Sequence, residues 1–566
     1  MTNYNAQDLL FVPLGGAGEI GMNLNLYGHK GKWLMVDCGM TFADAALPGI
    51  DLVLPNPSFV EQHSQNIVAL VLTHAHEDHI GAIPYLWPRL KCPIYATPFT
   101  AALLRRKLVD AGLAEQVSVK SVDTAGGLTL GPFHVRYVGM THSIPEANAL
   151  AIETSAGLIF HTGDWKLDDN PMVGLPTDVC TISNLGDNGV LAMVCDSTNV
   201  FRSGESGSEL TVRETLLDII KKKNQRVVIT SFASNVARVE TAANIAIQSK
   251  RHLVPVGRSM WRTIEIARET GYLVDFPDVI RESDARDLKR SEVLYLCTGC
   301  QGEPRAAMMR IATGSHPHLE LDEEDTVIFS SRIIPGNERA IGILQNLLVR
   351  GGIEVITERD NLVHVSGHPA RDDLRRMYEW VRPRICIPVH GEARHIWEHA
   401  RYASSLGVPT SIAVSNGDVV RVAPDPACII DKVSVGRLVV DGSAIVDVDH
   451  ESLRHRRKLT QSGLVIVSIV VGRSRQLAAR PKVTLIGIAD LDDTITKGCV
   501  EVLSSHFDGP ETKKITCDEA IEEECRRALR GYLKTITGKR PRLEIHVCRV
   551  VNSKKLGVGE QEVVQS

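Results

Sequence analysis

This 566-residue chain has no apolar run long enough to span a bilayer. The longest, such as "GLVIVSIVVG" at 463–472, fall far short of the roughly 20 residues that a spanning helix needs. They read as buried strands, and no membrane association is expected. Positive charge is not in excess either. The formal net charge is -5, which argues against coating nucleic acid through overall basicity and leaves open only a local basic channel. The basic stretches "LRRKL" (104–108), "KKKNQR" (221–226) and "LRHRRK" (453–458) read most simply as solvated faces. The N-terminus, "MTNYNAQDLLFVPLGG", lacks the basic start and apolar core of a secretory signal, so a cytoplasmic location is the default. The 12 cysteines are scattered, and Cys38, Cys195 and Cys386 sit inside apolar runs as small hydrophobes, so no structural disulfides are expected. Repeats and low-complexity tracts are missing too.

What is present is an ordinary globular composition, 43% hydrophobic and 23% charged, in a chain long enough for two to four domains. Short β-branched runs punctuated by Gly, Pro and Asp recur before residue 210. From there "ELTVRETLLDIIKKK", "NVARVETAANIAIQSK" and "MWRTIEIARETGYL" carry helical periodicity. Between them lie "RVVITSF", "HLVPVG", "VLYLCTG" and "TVIFSS", which read as fully buried parallel strands. This is an α/β insert, 210–349. The earlier pattern returns over 350–450, a linker spans 451–462, and 463–566 reads as a small α/β module.

The most informative stretch is "IVALVLTHAHEDHIGAIPYL" at 67–86. It packs His74, His76, Asp78 and His79 directly behind an apolar strand. His74 and His76, two apart in extended chain, share a side; Asp78 and His79 come as the chain turns into a helix. Three further polar residues repeat the placement. His142 follows "FHVRYVGMT", Asp164 ends "GLIFHTGD" and His390 ends "RICIPVH". Strand carboxyl ends converge on one rim in layered α/β folds, and imidazole with carboxylate is a zinc-type donor set.

"THAHEDHIG" matches the HxHxDH signature of the metallo-β-lactamase superfamily. With "CDSTN" (Asp196), "HVSGH" (His368), "PVHGE" (His390), "LGGAGEIGMN", "SFASNVAR", "TGCQGEP" and "SSRIIPGNE", nearly the whole chain resembles the bacterial ribonuclease J family of β-CASP nucleases. The resemblance implies an α/β fold: a metallo-β-lactamase αββα sandwich, 1–209 and 350–450, holding an inserted β-CASP α/β domain, with a small C-terminal α/β domain. It implies that His74, His76 and His142 hold one Zn2+ and Asp78, His79 and His390 a second, with Asp164 bridging; Mn2+ or Mg2+ are alternatives. Such a pair lowers the pKa of bound water to about 7 and offsets charge in phosphodiester hydrolysis, with Asp78 among the catalytic residues. His368, oriented by Asp196, is assigned to leaving-group protonation or to the scissile phosphate, the plainer reading being a structural hydrogen bond.

By the same resemblance the segment His364, Val365, Ser366, Gly367 and His368 contacts single-stranded RNA, and Ser234 contributes to a pocket for a 5′-monophosphate. A pocket at a fixed distance from the metals implies 5′-to-3′ exonuclease action, with endonuclease cuts if RNA threads past it. Processing of rRNA and mRNA, a homodimer or homotetramer, and contacts with RNA-degradation or ribosome-associated proteins are implied as well. Gly49, Asp51 and Asp447 resemble a loop that holds a structural divalent ion, Ca2+, in some relatives; plain surface acids are the alternative.

"GGAGEIG" at 15–21 satisfies a dinucleotide-binding pattern, but two strands follow it rather than a helix. Its glycines read instead as a tight backbone path near the metals. "CTGC" at 297–300 has no second CxxC to complete a zinc site. The rival functions are a DNA-directed β-CASP nuclease, a lactamase-fold hydrolase of small esters or thioesters, and a catalytically silent binding protein. The last two are disfavoured by the long insert with "HVSGH" and by the full set of seven ligand candidates.

Overall fold

The computed structural model describes residues 4–44, 46–472, 476–508 and 517–550. Two compact units result, one of Met1–Phe42 with Asp51–Ile445 and one of Ala43–Ile50 with Val446–Ser566.

The first unit is built on two sheets of eight and seven strands. Phe11, Tyr27, Val36 and Val71 from the first sheet interleave with Val135, Leu150, Ile159 and Val194 from the second in one buried cluster. Helices cover both outer faces. Ile83, Leu86 and Leu104 pack on the first sheet, while Ile182, Leu374, Met377 and Ala403 pack on the second. This is the αββα sandwich expected from the motifs.

The α/β insert also takes the expected form. Val227–Thr230, His252–Val256, Val293–Cys297 and Thr326–Phe329 pair in parallel, every residue of the first, third and fourth buried. Burial on both faces is why these strands read as continuous apolar runs and not as alternation. Helices Glu209–Lys221, Val236–Gln248 and Arg258–Glu269 lie where the periodicity puts them.

In the second unit, strand Leu464–Val471 pairs with Leu477–Ile486 and Arg542–Arg549. Val465, Val467, Ile469 and Val471 bury against helices Thr494–Asp508 and Asp518–Thr537. The first of these helices escaped the sequence reading, because Thr, Gly and Ser dilute the apolar spacing in "TITKGCVEVLSSHFD". The linker stretch is itself a helix, Glu451–Ser462, whose start is capped by His450. Among the described residues no helix is long and apolar enough to cross a membrane.

A fully buried relay stiffens the second sheet where its strands end. Ser197 Oγ lies 2.9 Å from His399 Nδ1, and His399 Nε2 lies 2.8 Å from the Tyr378 hydroxyl. Burial pushes the His399 imidazole down to about 4. An unfolded histidine takes its proton near pH 6.5, so the unfolded state binds more protons below that pH. The stability contributed is complete above pH ~6.5 and is lost as pH falls toward 4. His399→Gln is therefore expected to show a shallower loss of stability across this window in urea unfolding. Parallel pH profiles for variant and wild type would contradict the assignment.

Candidate metal centre

The strand Ile67–Val71 runs parallel to Lys32–Val36 and Ile94–Ala96 inside the first sheet. Beyond it the chain stays extended through His76 (φ -71°, ψ 155°) and enters a short helix, Glu77–Ile80. That brings His74 and His76 to one side, their Nε2 and Nδ1 atoms 3.1 Å apart. His142, carried by the second sheet, places Nε2 3.1 Å from the same His76 Nδ1. Asp164 comes from the end of Gly157–His161 and His390 from the end of Ile385–Val389. The Asp164 carboxylate reaches His79 Nε2 at 3.1 Å, His390 Nδ1 at 2.8 Å and His74 Nε2 at 3.8 Å. Asp78 Oδ2 lies 3.5 Å from His390 Nε2. All seven candidates thus meet in two groups that share Asp164: His74, His76, His142 and Asp164, and Asp78, His79, Asp164 and His390.

The donor set fits divalent cations on two counts. Tetrahedral ligands at 2.0–2.1 Å from zinc stand about 3.3–3.4 Å from one another, close to the 3.1 Å that separates His76 Nδ1 from the Nε2 of His74 and of His142. The protonation states fit as well. Burial, aided by neighbouring histidines, holds His74 and His76 well below their usual pKa and brings His142 down to about 4. Burial opposes charge on Asp164 too, but His390 and His79 keep its carboxyl well below the ordinary range. Neutral imidazoles beside an ionised carboxylate are the forms that bind metal, which describes the group of His74, His76 and His142. Against the pull of burial, Asp164 instead holds His79 and His390 above the usual imidazole range, so a cation in the second group would displace their protons.

The glycine loop explains the tight path. Gly16, in the left-handed region at φ 86°, accepts the His390 backbone N–H at 2.6 Å. Ala17 and Gly18 pair with Gly391 and Glu392 as a two-stranded ribbon. Lys30 and Gly31, both at positive φ, make the turn between strands Leu24–His29 and Lys32–Val36, so the loop has no helix to seat a dinucleotide.

His368 lies at the edge of the centre with its side chain 23% exposed, Nδ1 2.7 Å from Asp196 Oδ2. Asp196 is fixed in turn by the Thr198 backbone N–H at 2.8 Å. Burial works against an imidazolium here, yet the carboxylates of Asp196, Asp164 and Asp78 hold His368 up at about 9. Asp164, Asp196 and His368 also form a third group of donors close enough to share an ion.

The rest of the 364–368 segment divides by role. Ser366 Oγ accepts from Asn199 Nδ2 at 2.7 Å. Gly367 supplies a carbonyl 2.6 Å from His142 Nδ1, and a Cβ on it would come within 2.6 Å of that ring. Gly367 therefore supports a candidate ligand directly. Val365 is buried in the core, which leaves only its backbone for a substrate. His364 keeps a buried Nδ1 without a hydrogen-bond partner, and burial with nearby Arg238 pushes it down to about 3. Ser234 sits in the turn leading into Val236–Gln248, its carbonyl accepting from Val236 N. Asp51 falls in the first unit, Gly49 and Asp447 in the second; neither acid belongs to a metal-capable group among the described residues. Cys297 and Cys300 are buried in the insert, and burial pushes the Cys300 thiol up to about 12.

Sequence reasoning passed over two supports. Asp37 takes the Thr73 N–H and hydroxyl at 2.8 and 2.9 Å and stands 2.8 Å from His79 Nδ1. It ends an apolar strand just as His74 does, and that signal could have found it. Partners of this kind orient a ligating imidazole, and their loss costs about 10–100-fold in metal affinity or activity. Asp37→Asn should fall in this range, with activity recovering as metal is titrated in; full activity at sub-stoichiometric metal would refute the role. The second support is Arg238, fully buried, which binds Glu209 at 2.7 Å, the Val363 carbonyl at 3.0 Å and Ser330 Oγ. It ties the insert to the irregular segment leading into His364.

Comparison with known proteins agrees with this geometry. Residues 21–164 match the model described as "Metallo-beta-lactamase superfamily" and 224–348 match "Ribonuclease J, beta-CASP domain". Residues 352–413 match "Zn-dependent metallo-hydrolase RNA specificity domain" and 451–550 match "Ribonuclease J C-terminal domain". A ribonuclease J of Sinorhizobium meliloti is 41% identical over 558 residues, 96% of this chain and 98% of that one. One from Mycolicibacterium smegmatis is 42% identical, covering 84% and 85%. A crystal structure of a protein of unknown function from Enterococcus faecalis superposes with TM-score 0.52 at 15% identity, over 73% of this chain and 99% of that one; it speaks for the fold alone.

Proposed function

The chain belongs to the ribonuclease J family of metal-dependent nuclease hydrolases, and from that premise we propose that it cuts single-stranded RNA at the centre built on Asp164. The observation that carries this reading is the pair of donor groups sharing one carboxylate beside the His368–Asp196 pair. The occupant we propose is two Zn2+ per subunit, with Mn2+ or Mg2+ as substitutes. Such cations acidify water and offset charge on a phosphoryl oxygen. The chain's own part is distinct. His74, His76 and His142 present neutral nitrogens, Asp164 remains ionised, and Asp37 fixes the His79 ring. His368, held by Asp196, is proposed to carry a proton to the departing oxygen or to pair with the scissile phosphate.

The proposed action is 5′-to-3′ exonucleolytic, with endonuclease cuts when RNA threads through, and with preference for a 5′-monophosphate held by Ser234, His364 and Ser366. The buried, unpartnered Nδ1 of half-buried His364 supports a polar ligand there, since a buried polar atom without a partner costs about 1–3 kcal/mol. Maturation and decay of rRNA and mRNA in the cytoplasm, by a homodimer or homotetramer in contact with RNA-degradation or ribosome-associated proteins, completes the proposal.

Matched RNA and DNA oligomers test the substrate class; comparable cleavage of both would give the DNA-directed alternative. One RNA with a monophosphate or a triphosphate end tests the pocket. The monophosphate is expected to be degraded severalfold faster, and equal rates would remove the pocket. Elemental analysis of the purified protein reports metal identity and count.

A further inference from the structure

On the two segments that lead away from Asp196 and His390, two large aromatic side chains face solvent. Phe201 is 53% exposed and Trp397 70% exposed. Phe201 lies on the loop that leaves Asp196, in which Thr198 Oγ1 donates to the His390 carbonyl at 3.1 Å and Asn199 Nδ2 to the His368 carbonyl at 3.1 Å. Trp397 lies on helix Ala393–Ser405, which starts just after His390. Arg394 shares the helix with Trp397 and donates from Nε to Glu392 at 2.8 Å. Its guanidinium sits 5.9 Å from the Phe201 ring centre, and positions three apart share a helix face. His395 packs against Phe201 at 5.2 Å between ring centres, so the ring is flanked by two side chains while about half of the residue stays exposed.

We propose that Phe201, Arg394 and Trp397 form a stacking ledge for an unpaired base of the RNA next to the scissile linkage. The ledge rests on the reading of the protein as a ribonuclease. Aromatic faces receive any base by stacking, a guanidinium adds cation–π and phosphate contacts, and the combination suits single strands without sequence preference. Continuity with the centre through Thr198 and Asn199 favours RNA over a protein partner. The exposed Arg202 adjoining Phe201 adds positive charge on the same loop.

The test uses the full-length metal-loaded protein and a 5′-monophosphorylated single-stranded RNA in single-turnover reactions. Phe201→Ala and Trp397→Ala are each expected to raise the half-saturating concentration roughly tenfold, whereas Trp397→Phe retains most of the affinity. Val274→Ala, at a residue 80% exposed on the insert, serves as control and should leave it unchanged. An oligomer with one abasic position at the ledge should weaken wild type to the level of Trp397→Ala and weaken that variant no further. Half-saturation within twofold of wild type for both alanine variants, while wild type degrades RNA normally, would overturn the ledge alone. So would variants that change only the mass seen by light scattering, which would make the aromatics a protein contact. A wild type that neither binds nor cuts RNA would overturn the ribonuclease reading and the ledge with it.

Discussion

His76→Ala is expected to abolish RNA turnover while leaving the fold intact. His76 Nδ1 is the common neighbour of His74 Nε2 and His142 Nε2, 3.1 Å from each, so its removal takes away the donor around which the other two are arranged. The neighbouring imidazoles are already engaged, His79 by Asp37 and Asp164 and His368 by Asp196. The fold should tolerate the change. The His76 ring is only half-buried and truncating it opens little cavity, so the cost in stability falls short of the 2–5 kcal/mol of a core truncation. Two measurements separate the effects: elemental analysis, expected to show metal lost from the variant, and circular dichroism, expected to match wild type. Turnover at the wild-type rate by the metal-depleted variant would mean that the chemistry is elsewhere.

The fold class and the full set of seven ligand candidates were legible through the family motifs, and four of the seven also for a physical reason. A polar residue that closes an apolar strand has no packing explanation, and the ends of neighbouring strands are brought together by the sheet. His74, His142, Asp164 and His390 all obey this rule. Asp37 obeys it too, but "VDCG" has no imidazole beside the carboxylate to mark it as part of a histidine-rich donor run. Arg238 is a different case. Within "NVARVE" it reads as the exposed side of an amphipathic helix, and its burial depends on Glu209, Ser330 and Val363, which are distant in the chain. Periodicity cannot foresee a charge that is buried because its partners arrive from distant parts of the chain. Val365 is the opposite case: a sequence motif marks it as a substrate contact, and because its side chain belongs to the core only its backbone is left for that role. The ledge residues were illegible for a related reason, since exposure of Phe201 and Trp397 is a property of the assembled surface.

The role of His368 can be separated from metal binding by a double-mutant cycle. His368→Ala is expected to lower kcat by about 10²–10⁴, the range for a positioned proton donor, with metal content unchanged. Asp196→Asn keeps a hydrogen-bonding partner at His368 Nδ1 but removes the charge that sustains the imidazolium, so its loss should be smaller, about 10–100-fold by analogy with orienting partners. Asp196 touches the ring at 2.7 Å and would act through it, so the double variant should be no slower than His368→Ala alone, a strongly non-additive outcome. Additive losses would mean that Asp196 contributes by another route, for which its place in the third donor group with Asp164 offers a cause. A drop in bound metal on losing His368 would turn that group into a ligand set and end the proton-donor assignment.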